Sequence, residues 1–192
     1  MADLTSNLIN SFDACLVAPF GSIGIRADER AITAIVLLPG SVPAKPPKKN
    51  SLAHLACVQL MSYLDNAAFV FDLPVRLSGS KHQLDVWHAM QKIRAGTTMT
   101  YGQVAAQIDS NARAVGTACG KNPVPIVVPC HRIVAANGLG GFMGGKRDDP
   151  LAIKRWLLIH EGVSLTALGA ASGTASDIAS GTSKRASSLP LF

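Results

Sequence analysis

The 192-residue chain has no apolar run near the length that spans a bilayer, so no transmembrane segment is expected. Its first residues, MADLTSNLIN, lack a basic stretch followed by an apolar one, so no secretory signal is read there. Cysteine is scarce and scattered. Cys15, Cys57, Cys119 and Cys130 form no C-x-x-C pair, which excludes a zinc ribbon and offers no disulfide framework. His54-x-x-Cys57 is the nearest approach to a ligand pair, but it sits in a helical pattern with no second pair, so no metal or cofactor is expected. No internal repeat is visible. Charged residues make up only 16% against 48% hydrophobic, a globular composition with enough chain for one large domain or two small ones. A soluble cytoplasmic protein is the expectation.

The net charge of +6 is uneven. Residues 1–75 carry five Lys/Arg against six Asp/Glu, whereas residues 76–161 carry eleven against five. A basic second half suits a polyanionic partner such as nucleic acid; plain solubility is the alternative.

Residues 14–40 alternate apolar stretches with the turns PFG and ADER, which predicts a small antiparallel sheet. SVPAKPPKKN (41–50) predicts an exposed extended loop. Ser51 caps a helix with Leu52, Leu55, Leu60 and Leu64 on its apolar face, and FVFDLPVRL (69–77) reads as a strand end plus linker. A helix from Lys81 carries Leu84, Trp87, Met90 and Ile93 on one side and is stopped by Gly96. A short helix capped by Thr100, the turn DSN and the helix ARAVGTACG then form a helix-turn-helix pattern. A glycine-rich loop leads to a last helix over 151–162, and the Ala/Ser/Gly/Thr-rich residues 166–192 read as a disordered tail.

Two features invite chemistry. The helix ARAVGTACG shows mostly Ala and Gly, with one Arg113; small residues let a backbone approach a nucleic-acid groove closely, whereas sequence readers are missing. A buried Ala-rich helix with Arg113 in a salt bridge is the alternative. In NPVPIVVPCHRI (122–133), Cys130 stands directly beside His131, a nucleophile and a base. In a regular strand the two side chains would point to opposite faces, leaving contact to a water or a local turn. His160-Glu161 supplies a carboxylate that could fix the imidazole.

PCHRI after NPVPIVV, together with YGQVA, ARAVG and KRWLLIHEG, resembles the O6-alkylguanine-DNA alkyltransferases, also called methylated-DNA–protein-cysteine methyltransferases. The likeness is strong over residues 80–163 and looser over 14–79. It implies an α+β protein of two domains: a ribonuclease-H-like N-terminal domain (1–79) holding the small antiparallel sheet, then a helical, winged-helix-like DNA-binding domain (80–165). It implies Cys130 as alkyl acceptor, His131 activating it through a water, Glu161 orienting His131, Asn122 supporting the turn, and Tyr101 donating a proton to the leaving guanine. Arg113 would fill the hole left by the extruded base, with Ala112, Ala114 and Gly116 against DNA. Pro125, Ile133, Phe142 and Met143 would form the substrate pocket. The implied partner is double-stranded DNA carrying O6-alkylguanine or O4-alkylthymine, met through its minor groove by a monomer. The implied reaction is one irreversible transfer per molecule.

The chain departs from that pattern at His82, where an aromatic is usual, at Phe142 and Met143, and in a longer loop KRDDPLA. A lesion-binding relative without transfer and a cysteine hydrolase are the competing expectations. The former lacks the acceptor cysteine that this chain retains; the latter leaves the DNA-like features without a role.

Overall fold

A computed structural model describes residues 7–38, 40, 42–145, 150–166 and 168. Strands β1 (Ala14–Ala18), β2 (Gly21–Ala27) and β3 (Ile32–Leu38) form an antiparallel meander in that order, with Ile25 paired to Ala14 on one side and Ile35 on the other. The expected small sheet is therefore present. Gly21 is needed where β2 begins: its φ is +132°, and a Cβ there would lie 2.3 Å from the Leu38 carbonyl oxygen. At the far turn, Asp28 Oδ1 accepts from the amides of Arg30 and Ala31, closing the loop through its own side chain. The loop expected over 41–50 is partly tied down, since Cys15 and Lys45 exchange both backbone hydrogen bonds at 3.0 Å.

Helix α1 (Leu52–Asp65) starts at Ser51, whose hydroxyl accepts from the His54 amide at 3.2 Å. Its buried stripe is Ala53, Ala56, Cys57, Leu60 and Tyr63; the small residues let it lie close on the sheet. Leu55, expected on that stripe, is 39% exposed, because it falls outside the run set by the alanines. The strand expected within 69–77 reduces to one bridge between Val75 and Ile32, since Pro74 has no amide to extend a ladder.

Helix α2 (Lys81–Gln91) opens with a capping box of Ser80 and Gln83, and α3 (Tyr101–Gln107) with one of Thr100 and Gln103. Helix α2 stops five residues short of Gly96: Ile93 turns into the core and its carbonyl accepts from Arg132. Asn111 caps α4 (Ala112–Cys119), which ends at Gly120 as expected. Short strands β4 (Met99–Thr100) and β5 (Ile133–Val134) pair in parallel, and α5 (Pro150–His160) is the last element among the described residues.

One core runs from Ile23, Ile25 and Leu37 of the sheet through Leu60 and Trp87 to Val115, Cys130 and Leu157. The sheet also touches the second half directly, since the Ile35 amide donates to the Pro123 carbonyl at 2.9 Å. No helix among the described residues is long and apolar enough to cross a membrane. The tail beyond residue 168 and loop residues 146–149 lie outside the described residues.

Candidate active site

The site is built by the proline-fenced lead into Cys130. Asn122 holds that lead at both ends: its Oδ1 accepts from the Val124 amide at 3.1 Å and its Nδ2 donates to the Val128 carbonyl at 2.7 Å. Between them Ile126 takes a φ of +74°, which is costly for a β-branched residue and is held by complete burial of its side chain. After Pro129 the chain makes one 3-10 turn, Cys130–Arg132. Cys130 and His131 are thus not in a strand. A 3-10 turn sets consecutive side chains about 120° apart rather than on opposite faces.

Cys130 is 4% exposed and lines a cavity of about 430 Å³ with Tyr101, Ala112, Gly116, Phe142 and Met143. It also borders a second cavity, of about 530 Å³, with Ala34, Val36, Asn122, Pro125 and Met143. A larger cavity, about 840 Å³, lies away from these residues, between the 27–29 turn and the start of α1.

Behind Cys130, His131 is wholly buried, with Nε2 2.9 Å from Glu161 Oε1. A carboxylate acceptor places the ring proton on Nε2 and leaves Nδ1 as an acceptor. Nδ1 is buried and has no hydrogen-bond partner among the described residues. Glu161 sits in the turn after α5 and receives further bonds: Arg132 Nε to Oε2 at 2.9 Å, Arg132 Nη2 to Oε1 at 2.8 Å, and Tyr63 Oη to Oε1 at 2.8 Å. Burial opposes its charge, yet the His131 and Arg132 hydrogen bonds hold its carboxyl well below the usual carboxylate range.

The nucleophile and base are both tuned toward their neutral forms. Burial pushes the Cys130 thiol up, opposed by a hydrogen bond from Asn122 and the charge of Lys154. Burial pulls His131 down, opposed by Glu161. Tyr101 is pushed up to about 12, chiefly by burial, and its hydroxyl donates to the Gly141 carbonyl at 3.1 Å.

Four expected pocket residues separate. Phe142, Met143 and Pro125 line the two cavities, whereas Ile133 lies beneath them, fully buried, its carbonyl taken by Lys154 Nζ at 2.7 Å. On α4, Ala112 and Gly116 face the site, one turn apart, but Arg113 and Ala114 face a shallow groove beside His82, Asn111 and Thr117. Arg113 is exposed and forms no ion pair among the described residues. His82 bonds Ser110 at 2.8 Å instead of packing as an aromatic would.

Sequence reasoning missed Tyr63, Arg132, Cys119 and Lys154. Cys119 lines both cavities. Lys154 is fully buried, donates to the Ile133, Leu139 and Gly141 carbonyls, and is pulled down to about 8 by burial. Its signal was available: one lysine sits in the apolar stripe with Ile153, Leu157 and Leu158.

The model of the 6-O-methylguanine DNA methyltransferase DNA-binding domain matches residues 81–163. A methylated-DNA–protein-cysteine methyltransferase of Methanosarcina acetivorans is 35% identical over 156 residues, 78% of this chain and 97% of that protein. The chain belongs to this family. Its Salmonella typhimurium member is 44% identical over 106 residues, a match spanning 54% of this chain and 59% of that one. Among solved structures, the O6-methylguanine methyltransferase of Mycobacterium tuberculosis superposes with a TM-score of 0.65 at 31% identity, covering 77% of this chain and 90% of that one. A structure of Mycobacterium tuberculosis OGT in complex with DNA gives 0.63 at 34%, covering 77% and 91%. The methyltransferase family therefore shares the mixed helix-and-sheet architecture described above, and the chain retains a cysteine–histidine–glutamate constellation within it.

Proposed function

We propose that this methyltransferase-family protein repairs O6-alkylguanine, and O4-alkylthymine, in double-stranded DNA by irreversible transfer of the alkyl group to Cys130. The carrying observation is the Cys130 thiol in a cavity, backed by a buried imidazole–carboxylate pair whose second ring nitrogen has no partner among the described residues. A resting neutral thiol and a neutral imidazole mean that the proton moves only with the lesion in place. It passes through a water to His131 Nδ1, while Glu161 balances the imidazolium. The Cys130 Sγ–carbon bond forms as the carbon–O6 bond breaks, and the electron pair leaves with guanine. Tyr101 keeps its proton at neutral pH and donates it to the departing base. The resulting thioether has no hydrolytic group beside it, so each molecule acts once.

In this reading α3 and α4 serve as the helix-turn-helix of a winged-helix-like domain spanning 80–165, beside a ribonuclease-H-like domain spanning 1–79. The small residues Ala112, Ala114 and Gly116 let α4 enter the minor groove, and exposed Arg113 fills the stack as the nucleotide rotates out, at a cost of a few kcal/mol. The family's DNA complex supports this partner. The protein acts as a cytoplasmic monomer. Incubation with a duplex carrying O6-methylguanine, followed by intact-mass measurement, tests the proposal. One methyl added, and none added to Cys130→Ala, is expected; unchanged mass of the unsubstituted protein returns the reading to lesion binding alone.

A further inference from the structure

The carboxylate that orients His131 is itself held by a residue outside the stretch matched by the DNA-binding-domain model. Tyr63, on α1, donates its hydroxyl to Glu161 Oε1 at 2.8 Å, the same oxygen that lies 2.9 Å from His131 Nε2. Its backbone carbonyl accepts from His160 Nε2 at 2.8 Å, and its ring lies edge-on to the His160 ring at 5.2 Å. One residue of α1 therefore grips both members of the His160–Glu161 pair, one through the main chain and one through the side chain. Packing alone requires the ring; the hydroxyl, wholly buried, has a single acceptor to serve.

We infer that Tyr63 is a positioning residue for the alkyl transfer, setting how strongly Glu161 draws the proton shared with His131. The inference rests on the reading of Cys130 as acceptor. Oε1 divides its lone pairs among Tyr63, His131 and Arg132, so a bond from Tyr63 lowers the basicity that His131 meets. Among the described residues, Arg132 and His131 face Glu161, Arg132, Lys154 and the neighbouring Cys130 face His131, and Glu161, Arg132 and His160 face Tyr63. Without the hydroxyl, Oε1 becomes the stronger acceptor and the imidazolium becomes easier to form. Neutral His131 is then available only at higher pH.

The test is Tyr63→Phe in the full chain, which keeps the ring and removes only the hydroxyl. Single-turnover transfer from an O6-methylguanine duplex is followed across pH, beside duplex affinity and thermal midpoint. The expected result is transfer slowed about tenfold on the acidic side of the profile, in line with one lost bond to a charged group. The acidic limb of the rate profile moves to higher pH and duplex affinity is unchanged. Adding Tyr63→Phe to Glu161→Gln produces no further loss, because the effect passes through Glu161. A wild-type rate and pH profile in Tyr63→Phe overturns the inference while leaving Cys130 as acceptor. So does a lower thermal midpoint with an unmoved profile, or a full additive loss in the double variant. An unalkylated wild-type protein defeats the underlying reading instead.

Discussion

His131 Nε2 lies 2.9 Å from Glu161 Oε1, and both side chains are completely removed from solvent. A buried charged group hydrogen-bonded in this way is not a reliable source of stability, but removing it leaves its partners unpaired. Glu161 also accepts from Arg132, Tyr63 and the Gly96 amide, so its loss reaches across the site.

Glu161→Gln keeps the shape and removes the charge. Transfer should slow about a hundredfold, the lower end of what a positioned proton acceptor contributes. The slow product should still be a Cys130 thioether, read by peptide mass mapping. Stability should fall by about 3 kcal/mol in urea titration, because half-buried Arg132 loses its counter-charge and the buried His131 ring its charged acceptor. A rate within twofold of the unsubstituted protein contradicts the assigned role.

Acid should weaken the fold through the same pair. Glu161 ionises at lower pH folded than unfolded, and His131 also takes up its proton at lower pH folded than unfolded. Both shifts mean that the unfolded chain binds more protons, so stability rises with pH. The His131 share is complete above its ordinary value of about 6.5 and erodes below it; the Glu161 share erodes below about 4.3. Urea midpoints measured from pH 8 down to pH 2 should hold to about pH 7 and fall below it, and Glu161→Gln should flatten the part of the curve below about pH 4.

Most elements could be read from the chain because their signals are local. Ser51, Thr100 and Asn111 each announce a helix start by a side chain that accepts from an amide three residues on. Alternating apolar residues with polar turns gave away the β1–β3 meander. What stayed hidden depends on distant partners. Tyr63 meets Glu161 across 98 positions, and nothing in LMSYLDN marks its hydroxyl for that use. The end of α2 before Gly96 follows from Arg132 claiming the Ile93 carbonyl, again a long-range bond. The 3-10 turn at Cys130 escaped a strand-based reading because Pro129 and the Ile126 backbone redirect the chain in a way that apolar patterning does not encode.

Asn122→Ala should raise the pH at which Cys130 becomes reactive. The amide braces Val124 and Val128, and its N–H dipole beside Cys130 lowers the thiol's pKa, favouring thiolate. Two lost backbone braces should destabilise the protein by about 2 kcal/mol in all. Iodoacetamide trapping of Cys130 as a function of pH checks the thiol, and an unshifted curve rejects the Asn122 contribution.

Arg113→Ala should separate binding from chemistry. The side chain is exposed on α4 and forms no ion pair among the described residues, so its removal should leave stability within about 0.5 kcal/mol of the original. If it enters the DNA stack, transfer from a paired O6-methylguanine should slow well beyond transfer from the same lesion in a single strand, where no hole needs filling. Equal slowing on both substrates identifies Arg113 as a phosphate contact, and the salt slope of duplex binding should then drop by about one.

Lys154→Met tests whether a buried cation holds the pocket wall. Nζ donates to three carbonyls, those of Ile133, Leu139 and Gly141, and Gly141 in turn accepts from Tyr101. Methionine fills the volume but leaves these carbonyls without their donor, at about 1–3 kcal/mol for each one not rescued by solvent. The loop bearing Phe142 and Met143 should loosen, and the positive charge that favours Cys130 thiolate disappears with it. Two readouts should therefore move together: a lower thermal midpoint, and slower trapping of Cys130 by iodoacetamide at neutral pH. Lys154→Arg keeps the charge in a side chain too large for the site. It should lose stability by overpacking while retaining more Cys130 reactivity than Lys154→Met. If both variants lose stability and keep full reactivity, Lys154 braces the loop and has no part in tuning the thiol.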